Sequence, residues 1–231
     1  MYRGWIRLLA ALVVICGFAS PSSAGCNDGP GPGVDWSGCQ KLNRRMAGDD
    51  FRGANLTGAN LTDSDLAGAD LTGANLSQAI LVRTGFAGAI LKRAELTKAM
   101  LDRADLRGAD LSAAQLVKAE LHRANLTNAR LVGGQLEGAE LGRALLFNAN
   151  LSGANLRDAY LARVDLRKAQ LADADLRDAD LYLADLHGAD LSQAKGLTQA
   201  QLSRTCGDGG TKLPPDLVSP PSWPCPARNQ Q

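Results

Sequence analysis

The amino-acid sequence predicts an all-β solenoid, and three observations lead to that prediction. Leucine or phenylalanine stands at every fifth position from Phe51 to Leu191, which makes 29 central positions, 27 of them leucine. A small residue stands two positions before each later centre and is alanine in 24 of 28 cases, the exceptions being Ser64, Thr84, Gly134 and Val164. Aspartate or asparagine directly precedes the centre in 15 of the 28 repeats, and glycine often follows it by two residues.

A period of five excludes the two ordinary regular elements. Five residues advance an α-helix by about 140° beyond a full turn, so the leucines would scatter around its surface. Five is an odd step along a strand, so the leucines would alternate between its two faces. Aspartate, asparagine and glycine favour turns. A chain that turns after every five residues and keeps leucine and alanine inside must wind into coils, stacked about 4.8 Å apart.

The motif A-[DN]-L-x-x, as in "ANLTGANLTDSDLAGADLTGANL" at residues 54–76, resembles the repeat of the pentapeptide-repeat proteins. The resemblance covers residues 49–194. It implies a right-handed quadrilateral β-helix with four pentapeptides in each coil, so that residues 20 apart stack on one face. The 29 repeats would then form about seven coils and a rod about 35 Å long.

The N-terminal region has a different composition from the repeats. Residues 1–24 place Arg3 and Arg7 before an apolar run and small residues, which predicts a secretory signal peptide cleaved near Gly25. The apolar run is too short for a membrane-spanning helix. Residues 25–48 fit an N-terminal cap, because the end coil of a solenoid exposes apolar side chains and unpaired backbone groups.

The C-terminal region leaves the five-residue register. Thr198 and Gln201 have the spacing of a capping box and predict a short capping helix within residues 195–207. Residues 208–231 are rich in proline and are expected to form an extended tail.

Export would place the cysteines in an oxidising compartment. Cys16 leaves with the signal peptide, and Cys26, Cys39, Cys206 and Cys225 remain. We expect the pairs Cys26–Cys39 and Cys206–Cys225 if the region between them is long and rigid. A zinc site is a weaker alternative because the spacing is not C-x-x-C. The "SAGC" sequence also leaves open a lipoprotein cleavage box, in which Cys26 would be lipidated instead of paired.

No combination of residues points to catalysis. His122 and His187 each follow a central leucine, so both face outward and lie more than three coils apart. A leucine-filled rod without long loops offers no pocket for a cofactor or small molecule. The aspartates occupy turn positions instead of a calcium-binding motif. We therefore expect a protein that is not an enzyme and that holds no cofactor or metal.

The clearest functional signal emerges when residues 20 apart are aligned. Arginine occupies one corner in five consecutive coils: Arg83, Arg103, Arg123, Arg143 and Arg163. One interpretation is a solvated salt-bridge lattice with the nearby carboxylates Asp102, Asp105, Glu120, Glu140 and Asp165. The other is a docking stripe for an acidic partner or an envelope polyanion, because guanidinium groups suit carboxylate and phosphate.

Apolar residues at outward positions form two groups that could mark contacts with a partner or a second copy of the chain. The first group is Ile80, Val82, Ile90 and Met100, and the second is Leu145, Phe147 and Tyr160. Sequence drift that has loosened the repeat pattern is an alternative explanation for both groups.

These features predict an exported scaffold, periplasmic or secreted, that presents a rod-like surface to an unidentified protein or an envelope polyanion. No integral membrane segment is expected after signal removal, and homodimerisation stays open. Without Arg3 and Arg7 the chain carries 23 basic and 24 acidic residues, a balance that does not indicate nucleic acid as a partner. The alternative is a DNA-mimicking topoisomerase-binding protein, because some pentapeptide-repeat proteins resemble B-DNA and bind DNA gyrase. Residues 51–194 carry 18 acidic and 16 basic residues, which is not the strongly anionic surface of such a mimic.

Overall fold

The computed structural model describes residues 25–225, so the predicted signal peptide and the end of the Pro-rich tail lie outside the described residues. The described chain winds into a four-sided coil held by parallel bridges. From Asp35↔Asn55 to Asp175↔Lys195, every bridge joins residues 20 apart, which is four pentapeptides. In this part of the chain the pairs are single-residue bridges, separated by two-residue turns, and no longer strand forms.

Each corner of the coil is a turn whose geometry explains the sequence pattern. The N–H three residues after a centre donates to the carbonyl of that centre, as from Ala59 to Leu56 at 3.0 Å. The second residue after the centre has a positive φ, between 53° and 75°, where glycine is favoured. Each of the 15 aspartates and asparagines before a centre accepts a hydrogen bond from the backbone N–H two residues later. These side chains therefore stabilise the turns.

The central leucines and phenylalanines fill the tube, and each is at most 1% exposed. The alanines two positions before them occupy the remaining space. Two exceptions to alanine, Ser64 and Thr84, are also buried. The Ser64 hydroxyl donates to the Lys41 carbonyl at 2.7 Å and the Thr84 hydroxyl donates to the Leu61 carbonyl at 2.9 Å. Both polar groups are therefore hydrogen-bonded inside the tube.

At the N-terminal end, the bridges begin at Asp35, inside the segment expected to form the cap. Trp36 and Met46 occupy central positions and are buried like the leucines. Lys41, the centre between them, is 8% exposed and places its ammonium group 3.7 Å from the centre of the Trp36 ring. It also donates to the Asp28 carbonyl at 3.3 Å. Burial lowers the pKa of Lys41.

At the C-terminal end, helix α1 spans Gln199–Leu202 and buries its last residue completely. Thr198 forms its capping box with Gln201. The Gln201 side-chain amide also donates to the carbonyls of Leu176 and Ala179, both at 2.9 Å. The helix therefore contacts backbone groups of the preceding coil, and Leu202 belongs to the buried apolar cluster. The described residues contain no helix with the length and apolar character that a bilayer span requires.

Both cysteine pairs of the expected connectivity lie at disulfide distance. The Cα atoms are 5.5 Å apart for Cys26 and Cys39 and 5.6 Å apart for Cys206 and Cys225. The second pair fastens the tail beside α1, where the Trp223 indole N–H donates to a backbone carbonyl at 3.0 Å.

Candidate functional site

The five aligned arginines form one corner of the coil, which we call the arginine corner. Its members are Arg83, Arg103, Arg123, Arg143 and Arg163, each with φ between 55° and 61°. The last four also line one open groove of about 620 Å³, the arginine groove. Its other lining residues are Asp102, His122, Gly142, Tyr160, Ala162 and Tyr182.

The arginine corner lacks glycine, whereas the other three corners are rich in it. Fourteen glycines have positive φ, and all but Gly196 lie on the other three corners of the coil. Every arginine of the corner adopts the same left-handed conformation, which costs an L-residue roughly 1–2 kcal/mol. Local backbone geometry therefore favours glycine at these positions and does not explain the arginines.

Within the arginine corner, one residue forms an ion pair. Arg83 contacts the Asp63 carboxylate at 2.6 Å, and these hydrogen bonds hold the pKa of Asp63 below its ordinary value. The other four arginines have no carboxylate within 4.0 Å among residues 25–225. Four adjacent coils thus present guanidinium groups with no carboxylate partner in the described part of the chain.

The carboxylates close to the arginine corner mostly pair with other side chains. The pairs are Asp105 with Arg107 at 2.6 Å, Asp165 with Arg167 at 2.7 Å, and Glu140 with His122 at 2.7 Å. Asp102 and Glu120 form no ion pair within the described residues. Within the described residues, a carboxylate therefore neutralises only one arginine of the corner, Arg83, and no lattice of ion pairs extends along it.

The floor of the arginine groove is made by two small residues, Gly142 and Ala162, which are both buried. A Cβ atom on Gly142 would lie 2.8 Å from the Tyr160 ring and 3.1 Å from the His122 ring. Both rings therefore rest against the floor, with their centres 6.4 Å apart in an edge-to-face arrangement. Tyr160 is 44% exposed and Tyr182, at one end of the groove, is 39% exposed.

At the opposite end of the groove, Asp102 carries an unusual polar atom. Its Oδ1 is buried and accepts no hydrogen bond from the described part of the chain. The groove therefore combines guanidinium donors, exposed aromatic surface and one unused acceptor. This chemistry suits binding of an anionic ligand that also has donor groups.

The apolar residues singled out in the sequence lie on three faces. Ile80, Met100 and Tyr160 share a ladder of bridges on the face that ends at the arginine corner, and Val82 lies on the same face. Ile90 lies on a different ladder, and Leu145 and Phe147 lie on the face beyond the corner. The charged ends of Arg167 and Lys168 lie 5.6 and 5.5 Å from the centre of the Phe147 ring.

The floor of the groove and its Tyr182 end were not foreseen from the sequence. Alignment at intervals of 20 along the position after the centre reads Asp102, His122, Gly142, Ala162 and Tyr182. Two small residues between larger ones signal a depression in an otherwise flat face. The same alignment that revealed the arginines therefore contained this signal. Residues 25–225 contain no cluster of three or more His, Cys, Asp and Glu side chains that could hold a metal ion.

Several solved structures are similar to this chain. HetL, a pentapeptide repeat protein involved in heterocyst differentiation regulation in the cyanobacterium Nostoc sp. strain PCC 7120, is 33% identical, with 78% of this chain and 86% of HetL covered and a TM-score of 0.48. A pentapeptide repeat protein of the Arabidopsis thaliana thylakoid lumen is 31% identical over 55% of this chain and 71% of its own, with a TM-score of 0.21. QnrB1, a plasmid-mediated fluoroquinolone resistance protein, is 16% identical over 80% and 86%, with a TM-score of 0.39.

No curated protein sequence matches the chain. The family model for pentapeptide repeats matches it in 8 copies, with segments that run from residue 50 to residue 206. This match covers more than half of the chain and lies within the bridged coils, which begin at Asp35. The chain therefore belongs to the pentapeptide-repeat family, whose members fold as right-handed quadrilateral β-helices.

Proposed function

We propose that this protein is an exported, non-enzymatic interaction module whose arginine corner docks an acidic partner. In this proposal about seven coils form a rod, and α1 acts as its C-terminal cap. One observation carries the proposal: four arginines in adjacent coils line one groove and have no carboxylate partner within residues 25–225.

The energetics of the arginine corner support docking over a purely structural role. Adjacent coils lie about 4.8 Å apart, and like charges at this distance repel by roughly 1 kcal/mol in water. Each arginine also occupies a left-handed conformation that favours glycine. A carboxylate or phosphate partner would offset both the repulsion between the arginines and the cost of their left-handed backbone, because guanidinium groups form paired, charge-assisted hydrogen bonds with these anions.

The test of docking distinguishes the effect of where the positive charges lie on the coil from the effect of how many there are. We would replace Arg103, Arg123 and Arg143 with serine and measure retention on a carboxylate cation-exchange matrix at low salt. The matched control replaces Arg93, Lys98 and Lys118, which carry the same charge and are also exposed residues with positive φ, but lie on other corners. We expect the first variant to lose retention and the control to keep most of it. Equal losses in the two variants would refute docking at the arginine corner.

Export rests on the signal-like N-terminus and on the two cysteine pairs at disulfide distance. The test is an intact mass, without reductant, of the protein recovered from fractionated cells. We expect a chain that begins at Gly25 and lacks the four thiol hydrogens, in the envelope or medium. A full-length chain with free thiols in the cytoplasm would refute export and make topoisomerase binding the leading alternative.

A further inference from the structure

The N-terminal end of the coil contains a second pocket, which shares no residue with the arginine groove. The pocket has a volume of about 360 Å³ and lies between the segment that begins at Cys26 and the first bridged coil. We call it the cap pocket. Four of its lining residues are charged, namely Asp28, Lys41, Arg44 and Arg45. Three positive charges and one negative charge give the cap pocket a net charge of +2.

Lys41 is unusual because it replaces leucine at a central position of the coil and is only 8% exposed. Its ammonium group lies over the Trp36 ring and donates to the Asp28 carbonyl, which occupies one of its three N–H donors. Among residues 25–225, no carboxylate lies within 4.0 Å of this ammonium group. A buried charge without an ionic partner is costly, so an anion in the cap pocket would stabilise Lys41.

Arg44 and Arg45 add donors to the same pocket. Both are exposed, and neither forms an ion pair in the part of the chain that the structure describes. In later coils the residue before a centre donates its backbone N–H to the preceding coil, as Asp65 donates to the Arg44 carbonyl at 2.8 Å. No bridged coil precedes Arg45, and its N–H has no acceptor within the described residues. This N–H is therefore available to a ligand.

The donors of the cap pocket suit a phosphate group better than a carboxylate. A phosphate group carries a charge of about −1.5 to −2 at pH 7, which balances the net charge of the pocket, whereas a carboxylate carries one negative charge. A phosphate group also offers three strong acceptor oxygens to the ammonium, guanidinium and backbone donors, and a carboxylate offers two. The volume of the pocket lies at the lower end of the range for small-ligand sites.

We infer that the cap pocket binds a phosphate dianion, as the free ion or as a small phosphomonoester, through Lys41, Arg44 and Arg45. This inference goes beyond the proposed docking function, because it concerns a different part of the coil and a small ligand.

The test is an NMR titration of the disulfide-bonded chain at about pH 7.5, with sodium phosphate or glycerol 3-phosphate against sodium chloride of equal ionic strength. The indole N–H resonance of Trp36 reports on the cap pocket, and that of Trp223, at the C-terminal end, is the internal control. We expect the Trp36 resonance to shift and to saturate with a dissociation constant of about 1 mM or lower, while the Trp223 resonance stays in place. Acetate should bind about tenfold more weakly or worse.

The two phosphate probes distinguish the source of the ligand. Tighter binding of inorganic phosphate would identify the free ion, and tighter binding of glycerol 3-phosphate would identify a phosphomonoester. Either result supports a phosphate site in the cap pocket.

Two variants test the contacts. Lys41→Met removes the buried charge and keeps an unbranched side chain, so we expect the coil to fold and the affinity for phosphate to fall by about tenfold or more. Arg45→Gln changes an exposed residue, which spares the core, and should weaken phosphate binding several-fold. The matched control is Arg93→Gln, which changes an exposed arginine of a later coil that does not line the cap pocket. It should retain the affinity of the unmodified chain.

Three outcomes would overturn the inference. The first is a Trp36 resonance that responds to neither phosphate probe, and the second is acetate binding as tight as phosphate binding. The third is unchanged phosphate affinity in both Lys41→Met and Arg45→Gln, which would place the anion elsewhere. None of these outcomes bears on docking at the arginine corner, which the serine variant of that corner tests separately.

Discussion

Replacing arginine by glycine in the arginine corner should make the protein more stable while it abolishes docking. Arg123 and Arg143 have φ values of 57° and 61°. A left-handed conformation costs an L-residue roughly 1–2 kcal/mol, and glycine avoids this cost. Glycine also gains conformational entropy in the unfolded chain, which offsets about 0.5–1 kcal/mol of the benefit. The net gain is about 0.5–1 kcal/mol for each site, plus the relief of repulsion between neighbouring guanidinium groups.

The assay is urea unfolding followed by circular dichroism, with the transition midpoint compared at an unchanged denaturant slope. We expect the double variant Arg123→Gly, Arg143→Gly to unfold at higher urea than the unmodified chain. Arg93→Gly is the matched control, because Arg93 has φ 55° on another corner and should gain a similar amount per site. A double variant that is less stable than the unmodified chain, beside an Arg93→Gly variant that is more stable, would show that the corner arginines make stabilising contacts within the molecule.

The C-terminal end and the core yield three further predictions. His187 donates to the Cys225 carbonyl at 3.0 Å and pairs with Asp185; burial lowers its pKa, but these hydrogen bonds outweigh burial and raise it. The contribution of His187 to stability is therefore complete below the ordinary pKa of 6.5 and is lost as pH rises through the higher folded pKa. The protection of amides near Cys225 from hydrogen exchange should therefore fall above about pH 6.5, and His187→Gln should flatten that dependence. Selective loss of the Cys206–Cys225 disulfide, by serine substitution at both positions, should cost about 3 kcal/mol for its 19-residue separation and should expose the tail to proteolysis; an unchanged cleavage rate would contradict the fastening role. Leu126→Ala empties a fully buried position and should cost about 3–5 kcal/mol in urea unfolding, whereas a cost below about 1 kcal/mol would mean that the tube collapses around the gap.

The repeat architecture was predictable from sequence because each pentapeptide encodes the same local structure. A central leucine needs burial, the preceding aspartate or asparagine needs a backbone donor, and the turn needs a positive φ. The buried centre recurs without a break from residue 51 to residue 191, the positive φ recurs at every turn from residue 53 to residue 188, and the aspartate or asparagine recurs in 15 of 28 repeats, so only a coil satisfies them together. The start of the bridges at Asp35 was harder to foresee, because Trp36 and Lys41 replace leucine at central positions. A buried lysine is compatible with the coil only through contacts with the Trp36 ring and the Asp28 carbonyl, which a sequence pattern does not display.

The candidate site was only partly predictable for a related reason. Alignment at intervals of 20 places arginines and carboxylates near one another but does not decide which of them pair. Glu140, which was expected to neutralise the arginine corner, pairs with His122 instead. That choice depends on side-chain geometry, as does the position of the Tyr160 ring over Gly142. The docking role itself stays a prediction.

The 20-residue bridge spacing has a consequence for how this molecule can change in length. Insertion or deletion of one pentapeptide would keep every leucine inside, yet it would rotate all later surfaces by a quarter turn. Removal of residues 144–148 would move Arg163 from the arginine corner to a neighbouring edge, although leucine and alanine would still fill the tube. Only a change of four pentapeptides, or a multiple of four, would keep every later side chain on its original face. The fold thus tolerates steps of five, while any surface that spans several coils tolerates only steps of 20.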